Sequence, residues 1–101
     1  MKDFEAFPEA VQEAALSALT VAAEGQKADT AKPLKGFGSG VFEIVVRDRG
    51  DTFRVVYVLR LDDAIWVIHA FQKKSKSGIA TPKPEIDLIK ARLKRLKEML
   101  E

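Results

Sequence analysis

Several features that are common in proteins are missing from this chain, and each absence excludes a class of function. The 101 residues include no cysteine, which excludes disulfides, thiolate metal sites and a cysteine nucleophile. There is one histidine, too few for a histidine-built metal site, and we expect no metal and no other cofactor. No apolar run is long enough to cross a bilayer, and the first residues contain no apolar stretch of signal-peptide length. We therefore expect a cytoplasmic protein without a membrane partner.

Acidic residues are scarce at the end of the chain. Residues 1–71 carry 8 Lys and Arg against 11 Asp and Glu, whereas residues 72–101 carry 9 against 4, so the net charges are −3 and +5. This asymmetry indicates a polyanion or an acidic partner, although a solvated basic helix face gives the same count. The length is typical of one domain, and we expect a single domain over residues 1–101.

Helical patterns occur near both ends of the chain. Pro8 to Glu24 combines a proline suited to the first helical turn with an alanine-rich stripe at helical spacing. A second helix, predicted from about Pro84 to the end, combines an apolar stripe with a basic back. Between the first helix and the middle of the chain, Gln26 to Gly40 is polar and rich in Lys, Gly and Pro, which predicts a loop.

The middle of the chain predicts a three-stranded antiparallel meander. Val, Ile, Phe, Tyr and Trp are enriched over roughly residues 41–47, 52–60 and 64–72, and turn residues separate these segments. Turns centred near residues 49–50 and 62–63 place three pairs opposite each other: Val45 and Arg54, Arg54 and Phe71, and Val56 and His69.

This register divides the strand residues between two faces. One face is continuously apolar and is predicted to be the core, with Phe42, Ile44, Val46, Phe53, Val55, Tyr57, Leu59, Trp66, Ile68 and Ala70. The other face mixes apolar groups with nearly all the strand charges: Glu43, Arg47, Thr52, Arg54, Val56, Arg60, Ile65, Val67, His69, Phe71 and Lys73. We therefore expect an α+β fold, a twisted antiparallel β-sheet with both helices packed on one face and the polar face available for function.

The polar face carries groups that RNA cleavage requires. Attack by the RNA's own 2′-hydroxyl needs a proton acceptor, a proton donor and cations near the phosphate, and it needs no metal. Arg54 can hold a phosphate bidentately, and Lys73, Lys74 and Lys76 can hold neighbouring phosphates. Histidine is a usual proton-transfer residue near neutral pH, which makes His69 a candidate for that step.

Each of these residues also has a purely structural interpretation. Phe71 can stack an unpaired base or merely cover the sheet. Arg54 can clamp a phosphate or pair with Glu43, which lies diagonally across the first hairpin. His69 can be a hydrogen-bonded structural residue, and the lysines can form a solvated turn. The functional interpretation depends on separately predicted turns that place these groups on one face.

A family resemblance is carried by five segments: Lys32-Pro-Leu-Lys-Gly36, Phe42-Glu43-Ile44, Phe53-Arg54-Val55-Val56-Tyr57, His69-Ala70-Phe71-Gln72-Lys73-Lys74-Ser75-Lys76 and Thr81-Pro82. With these segments the chain resembles the phage-derived, HigB-like branch of the RelE/ParE toxin superfamily, from about Phe7 to the last helix. The string that begins at His69 is the most specific part of the resemblance.

The resemblance implies the toxin of a type II toxin–antitoxin system, a ribosome-dependent endoribonuclease that cleaves mRNA and inhibits translation. Its partners would be mRNA on the ribosome and an antitoxin, in this branch commonly a helix-turn-helix DNA-binding protein. By the same resemblance, Arg54 and the basic turn Lys73-Lys74-Ser75-Lys76 match positions that hold and activate the mRNA. The expected site has two parts, catalytic Arg54, His69, Lys73 and Lys74 and RNA-binding Glu43, Arg47, Phe71 and Lys76.

Two departures from the family pattern leave questions open. Glu43 and Val45 stand where relatives carry basic residues in the first strand of the hairpin, and the nearest arginine is Arg47. His69, Lys73 and Glu43 therefore all stay candidates for proton transfer. Relatives usually have a strand before the first helix, so we expect this sheet to be short of an edge strand. Two alternative functions also stay open: a ParE-like inhibitor of DNA gyrase, and a catalytically degenerate toxin that retains antitoxin binding.

Overall fold

A computed structural model describes residues 2–37, 40–61, 64–73 and 82–100 of the chain. Its elements are, in chain order, α1 (Lys2–Glu5), α2 (Glu9–Ala23), β1 (Ala31–Pro33), β2 (Val41–Asp48), β3 (Asp51–Leu61), β4 (Ala64–Lys73) and α3 (Lys83–Leu100). The four strands form one antiparallel sheet in the order β1-β2-β3-β4. The predicted α+β class is confirmed, and the two long helices and three long strands lie within two residues of their predicted bounds. In the described residues, no helix is both long enough and apolar enough to cross a membrane.

The alanine-rich stripe of α2 packs on one face of the sheet. Ala15, Ala18 and Ala22 are buried there against Val55 and Tyr57 of β3. Alanine side chains are short, so the helix axis can lie close to the strands and still leave few voids. This layer is the core that the sequence predicts.

The hairpin between β2 and β3 sets the register of the sheet. Arg49 and Gly50 both have positive φ values, of 52° and 84°, as a two-residue turn matched to the strand twist requires. The predicted pairings are all confirmed: Val45 with Arg54, Arg54 with Phe71, and Val56 with His69. Because the turn was predicted correctly, the positions of Arg54, Phe71 and His69 in the sheet were also predicted correctly.

The segment between α2 and β2 differs from the sequence expectation. We predicted a loop over Gln26 to Gly40 and a sheet of three strands, but Ala31–Pro33 forms a fourth strand at the edge of the sheet, with Lys32 paired to Glu43. Three residues are too few for an alternating pattern to show in a sequence. The sheet thus has a short edge strand beside β2, contributed by residues that follow α2 in the chain.

A β-bulge in β4 changes which face its first half occupies. Val56 pairs with His69 but Tyr57 pairs with Val67, so Ile68 is an extra residue in the ladder. As a result Ile65 and Val67 pack with the α2 layer, whereas Trp66 and Ile68 pack on the opposite face. The faces predicted for these four residues were wrong, because a bulge reverses the alternation and leaves no mark in the sequence.

Helix α3 covers part of the face that we predicted to be open. Ile89, Leu93 and Leu96 of α3 are buried against a second apolar cluster that includes Val56 and Val58 of β3. We expected both helices on one face, but α2 and α3 lie on opposite faces. The physical reason is that Val41, Val56, Val58, Ile68 and Phe71 supply enough apolar surface on the polar face to hold a second amphipathic helix.

Candidate functional site

The centre of the polar face is an ion pair between adjacent strands. Nη1 of Arg54 donates to both carboxylate oxygens of Glu43, at 2.9 Å each, and both side chains are more than 90% buried. Lys32 of the edge strand approaches the same carboxylate, with Nζ 3.6 Å from Oε1. The side chain of Lys32 is 60% exposed, so this third charge connects the buried pair to solvent.

Beside this ion pair the sheet has an open pocket of about 490 Å³. Its lining combines three cations with one carboxylate: Asp29, Thr30, Lys32, Val45, Arg47 and Arg54. No residue of α3 contributes to this lining, so the helix leaves this part of the face uncovered. Glu43 is also absent from the lining and lies behind Arg54, where it orients the guanidinium. The pocket can therefore hold an anion of the size of a phosphodiester group.

His69 lies under α3, away from this pocket. Its ring is 2% exposed, and Nη1 of Arg92 donates to Nδ1 at 2.7 Å. Arginine has no acceptor, so Nδ1 must accept and Nε2 carries the hydrogen, which it donates to Oε1 of Glu85 at 2.8 Å. Both ring nitrogens are thus engaged by α3, an arrangement that suits a structural histidine better than a proton carrier.

Phe71 is also enclosed by the helix. It is 7% exposed, belongs to the cluster under α3 and stacks on the ring of His69, with the ring centroids 5.3 Å apart. The small accessible part of Phe71 lies in a surface pocket of about 380 Å³, which His69 and Glu85 also line. Its predicted part in RNA binding stays a prediction.

Of the predicted basic turn, residues 73–76, the structure describes only the backbone of Lys73. Lys73 ends β4 and pairs with Thr52, on the same face of β3 as Arg54. Lys74 and Lys76 lie outside the described residues. The backbone of Lys73 thus lies opposite Thr52, two residues along β3 from Arg54, while the roles of Lys73, Lys74 and Lys76 stay predictions.

Sequence reasoning missed the residues that complete these two arrangements. Asp29, Thr30 and Lys32 line the pocket because β1 pairs with β2, and we predicted no strand there. Glu85 and Arg92 of α3 were not singled out, whereas they bracket His69. A basic and an acidic residue seven positions apart on one helix face was the available signal, but such pairs are common on solvated helices. In the described parts of the chain, no group of three or more His, Asp or Glu side chains could hold a metal ion.

The fold and the site define a class: a small α+β protein with a basic pocket on the sheet face opposite its alanine-rich helix. The model of a family described as "Phage derived protein Gp49-like" matches residues 2–94. The chain therefore belongs to the Phage derived protein Gp49-like family, a toxin–antitoxin toxin family of the RelE/HigB type. The predicted relation to such toxins is confirmed at this level, and it is consistent with an antitoxin partner. No curated protein and no solved structure matches the chain.

Proposed function

We propose that this protein is the toxin of a type II toxin–antitoxin system, of the HigB-like branch, and that it cleaves ribosome-bound mRNA in the cytoplasm without a metal. The observation that carries the proposal is the open pocket with Lys32, Arg47 and Arg54 around one exposed carboxylate, Asp29. Cations in this arrangement neutralise a phosphodiester and the extra negative charge that develops on it during cleavage. The cognate antitoxin would be a helix-turn-helix DNA-binding protein that blocks this face.

The reaction requires no group beyond the RNA and the protein. The RNA 2′-oxygen attacks the adjacent phosphorus, the bond from phosphorus to the 5′-oxygen breaks, and a 2′,3′-cyclic phosphate and a 5′-hydroxyl result. A base takes the proton of the 2′-hydroxyl, and an acid gives a proton to the departing 5′-oxygen. Arg54 binds the phosphate, with Glu43 holding its guanidinium in place.

Asp29 is the best placed group to accept the proton. It is exposed and lines the pocket, whereas Glu43 is bonded to Arg54 and His69 is bonded to Glu85 and Arg92. Lys73 is the candidate proton donor, and the pairing of its backbone with Thr52, two residues along β3 from Arg54, supports this role. Lys74 and Lys76 would hold phosphates on either side of the cleaved bond.

The test is translation in vitro followed by mapping of mRNA 5′ ends. The wild-type protein should produce new ends in the ribosomal A site. Arg47→Ala should lower the cleavage rate roughly 100-fold, as loss of a transition-state contact does. Asp29→Asn should lower it by about 100-fold or more, because the amide cannot accept the proton. The matched control is Arg95→Ala, because Arg95 is an exposed arginine on α3 outside the pocket.

Several results would overturn the proposal. If the wild-type protein leaves translated mRNA intact, the ribonuclease proposal is wrong. Intact mRNA together with damaged DNA after induction would favour the gyrase inhibitor instead. Equal cleavage by wild type, Arg47→Ala and Asp29→Asn would show that the chemistry lies elsewhere in the molecule.

A catalytically degenerate toxin is the second candidate, and one observation favours it. Arg54 and His69, two of the expected catalytic residues, are both more than 90% buried and bonded within the fold. A protein that binds its antitoxin tightly but neither slows growth nor cleaves mRNA would support this candidate.

A further inference from the structure

A second groove lies between α3 and the loop that follows β1. It has a volume of about 560 Å³ and shares no residue with the pocket beside Arg54. Its lining combines a flat aromatic ring with lysines: Gly36, Phe37, Lys90, Leu93, Lys94, Lys97 and Glu98. The positive φ of Gly36, 89°, allows the turn that brings Phe37 to the helix.

The lysines of this groove have no ion pair within the described parts of the chain. Lys90 and Lys94 are exposed, and neither they nor Lys97 lies within ion-pair distance of a described carboxylate. Their charges are therefore available to a ligand. Glu98 is the one acidic residue in the lining, so the groove has a net positive charge.

The spacing of the lysines suits a nucleic-acid backbone. At a rise of about 1.5 Å per residue, Lys90 and Lys97 are separated by about 10 Å along the axis of α3, with Lys94 between them. A stacked strand advances about 3.4 Å per nucleotide, so three lysines span the phosphates of about three nucleotides. Phe37 at the side of the groove offers the aromatic surface on which an unpaired base stacks.

We propose that this groove is a docking site for single-stranded RNA, separate from the pocket beside Arg54. Protein–protein interface cores are depleted in lysine and enriched in large apolar groups. Here the apolar lining is limited to Phe37 and Leu93, both of which pack on the cluster beneath α3. An aromatic ring beside unpaired lysines is the pattern of a site for nucleic acid. The groove would hold RNA while a neighbouring segment occupies the pocket, so its part in cleavage rests on the proposed function, whereas its binding of RNA does not.

The probe is a fluorescein-labelled polyuridine of on the order of ten nucleotides. Lys90→Glu with Lys94→Glu should weaken its binding to the full chain at least tenfold. The double variant should also lower the slope of log affinity against log salt by about 1.4, because two phosphate contacts are lost. Phe37→Leu keeps an apolar side chain over the cluster but removes the ring, and it should weaken binding about tenfold without changing the salt slope.

The matched control is Lys83→Glu with Arg95→Glu. Both residues are exposed on α3, lie outside the groove and give the same change in net charge. This control should keep the wild-type salt slope. Since all four substituted residues are exposed, circular dichroism should show an unchanged fold for both double variants.

Each other outcome overturns the docking site. Equal loss of binding in both double variants would show attraction by overall charge, and no binding by the wild type would show that RNA is not the ligand. Loss of antitoxin binding with unchanged RNA binding would make the groove a protein interface. The two proposals fail separately: groove-dependent RNA binding without A-site cleavage contradicts only the ribonuclease, and A-site cleavage by a protein whose polyuridine binding does not depend on the groove contradicts only the docking site.

Discussion

Arg54 and Glu43 are joined diagonally across the β2–β3 hairpin, with one guanidinium nitrogen 2.9 Å from both carboxylate oxygens. The two residues are not direct partners in the ladder, since Glu43 faces Val56 and Arg54 faces Val45. The Nε of Arg54 is buried without a hydrogen-bond partner in the described part of the protein. The pair is therefore a structural contact, and its arginine also lines the pocket.

Removing Arg54 alone should destabilise the protein as well as alter the pocket. Arg54→Ala leaves the carboxylate of Glu43 buried without its main partner, which costs about 3–5 kcal/mol in such pairs. Lys32 should moderate this loss, because its ammonium is already 3.6 Å away. Urea denaturation of Arg54→Ala, Glu43→Ala and the double variant measures the coupling, and we expect the double variant to be more stable than the sum of the singles by about 1–3 kcal/mol. Additive losses would contradict this view of the pair. A growth assay of Arg54→Ala therefore needs a parallel measurement of folding, because unfolding alone would also relieve growth arrest.

The contacts of Arg92 should hold α3 against the sheet. Arg92→Ala removes the hydrogen bonds to Nδ1 of His69 and, at 3.1 Å, to the carbonyl of Ile68, and it leaves two acceptors unsatisfied. We expect a loss of about 1–3 kcal/mol in the free energy of unfolding. The substitution should also raise the hydrogen-exchange rates of the amides in α3 more than those of the amides in α2. Arg95→Ala, an exposed arginine on the same helix, is the control and should change neither quantity. Unchanged exchange in Arg92→Ala would show that the apolar stripe alone docks the helix.

Tyr57 should make stability fall at high pH. Burial raises the pKa of this hydroxyl above its usual value of about 10. The unfolded chain therefore loses the proton before the folded protein does, so the contribution of Tyr57 is complete below about pH 10 and is lost as the pH rises through the folded pKa. Lysines also titrate in this range, so Tyr57→Phe is the reference. Urea stability measured from about pH 9 to 11 should fall more steeply in the wild type than in Tyr57→Phe, and parallel profiles would contradict the prediction.

The register of the sheet could be predicted because its information is local. Arg49-Gly50 is a sequence that two-residue turns favour, and once that turn is set, the positions of Arg54, Phe71 and His69 follow from the two-residue repeat of a strand. The alanine stripe of α2 was local in the same way.

The composition of the pocket could not be predicted, because it depends on contacts between distant segments. Lys32 reaches Glu43 only because three residues after α2 add to the sheet. His69 was predicted on an open face but is covered by α3, because Glu85 and Arg92, 16 and 23 positions further along the chain, contact it. The bulge at Ile68 also made the predicted faces of Trp66 and Val67 wrong. A single extra residue in a strand reverses the side of the sheet on which the neighbouring side chains lie.

The short strand β1 also limits how copies of this protein can associate. A sheet edge recruits another chain through N–H and C=O groups that point away from the sheet. Along β1 the donors on that side are already removed: the N–H of Ala31 is bonded to the carbonyl of Ala28, and Pro33 has no N–H. A second copy therefore finds few donors here with which to extend the sheet, so the segment that completes the pocket also discourages growth of a fibril from it.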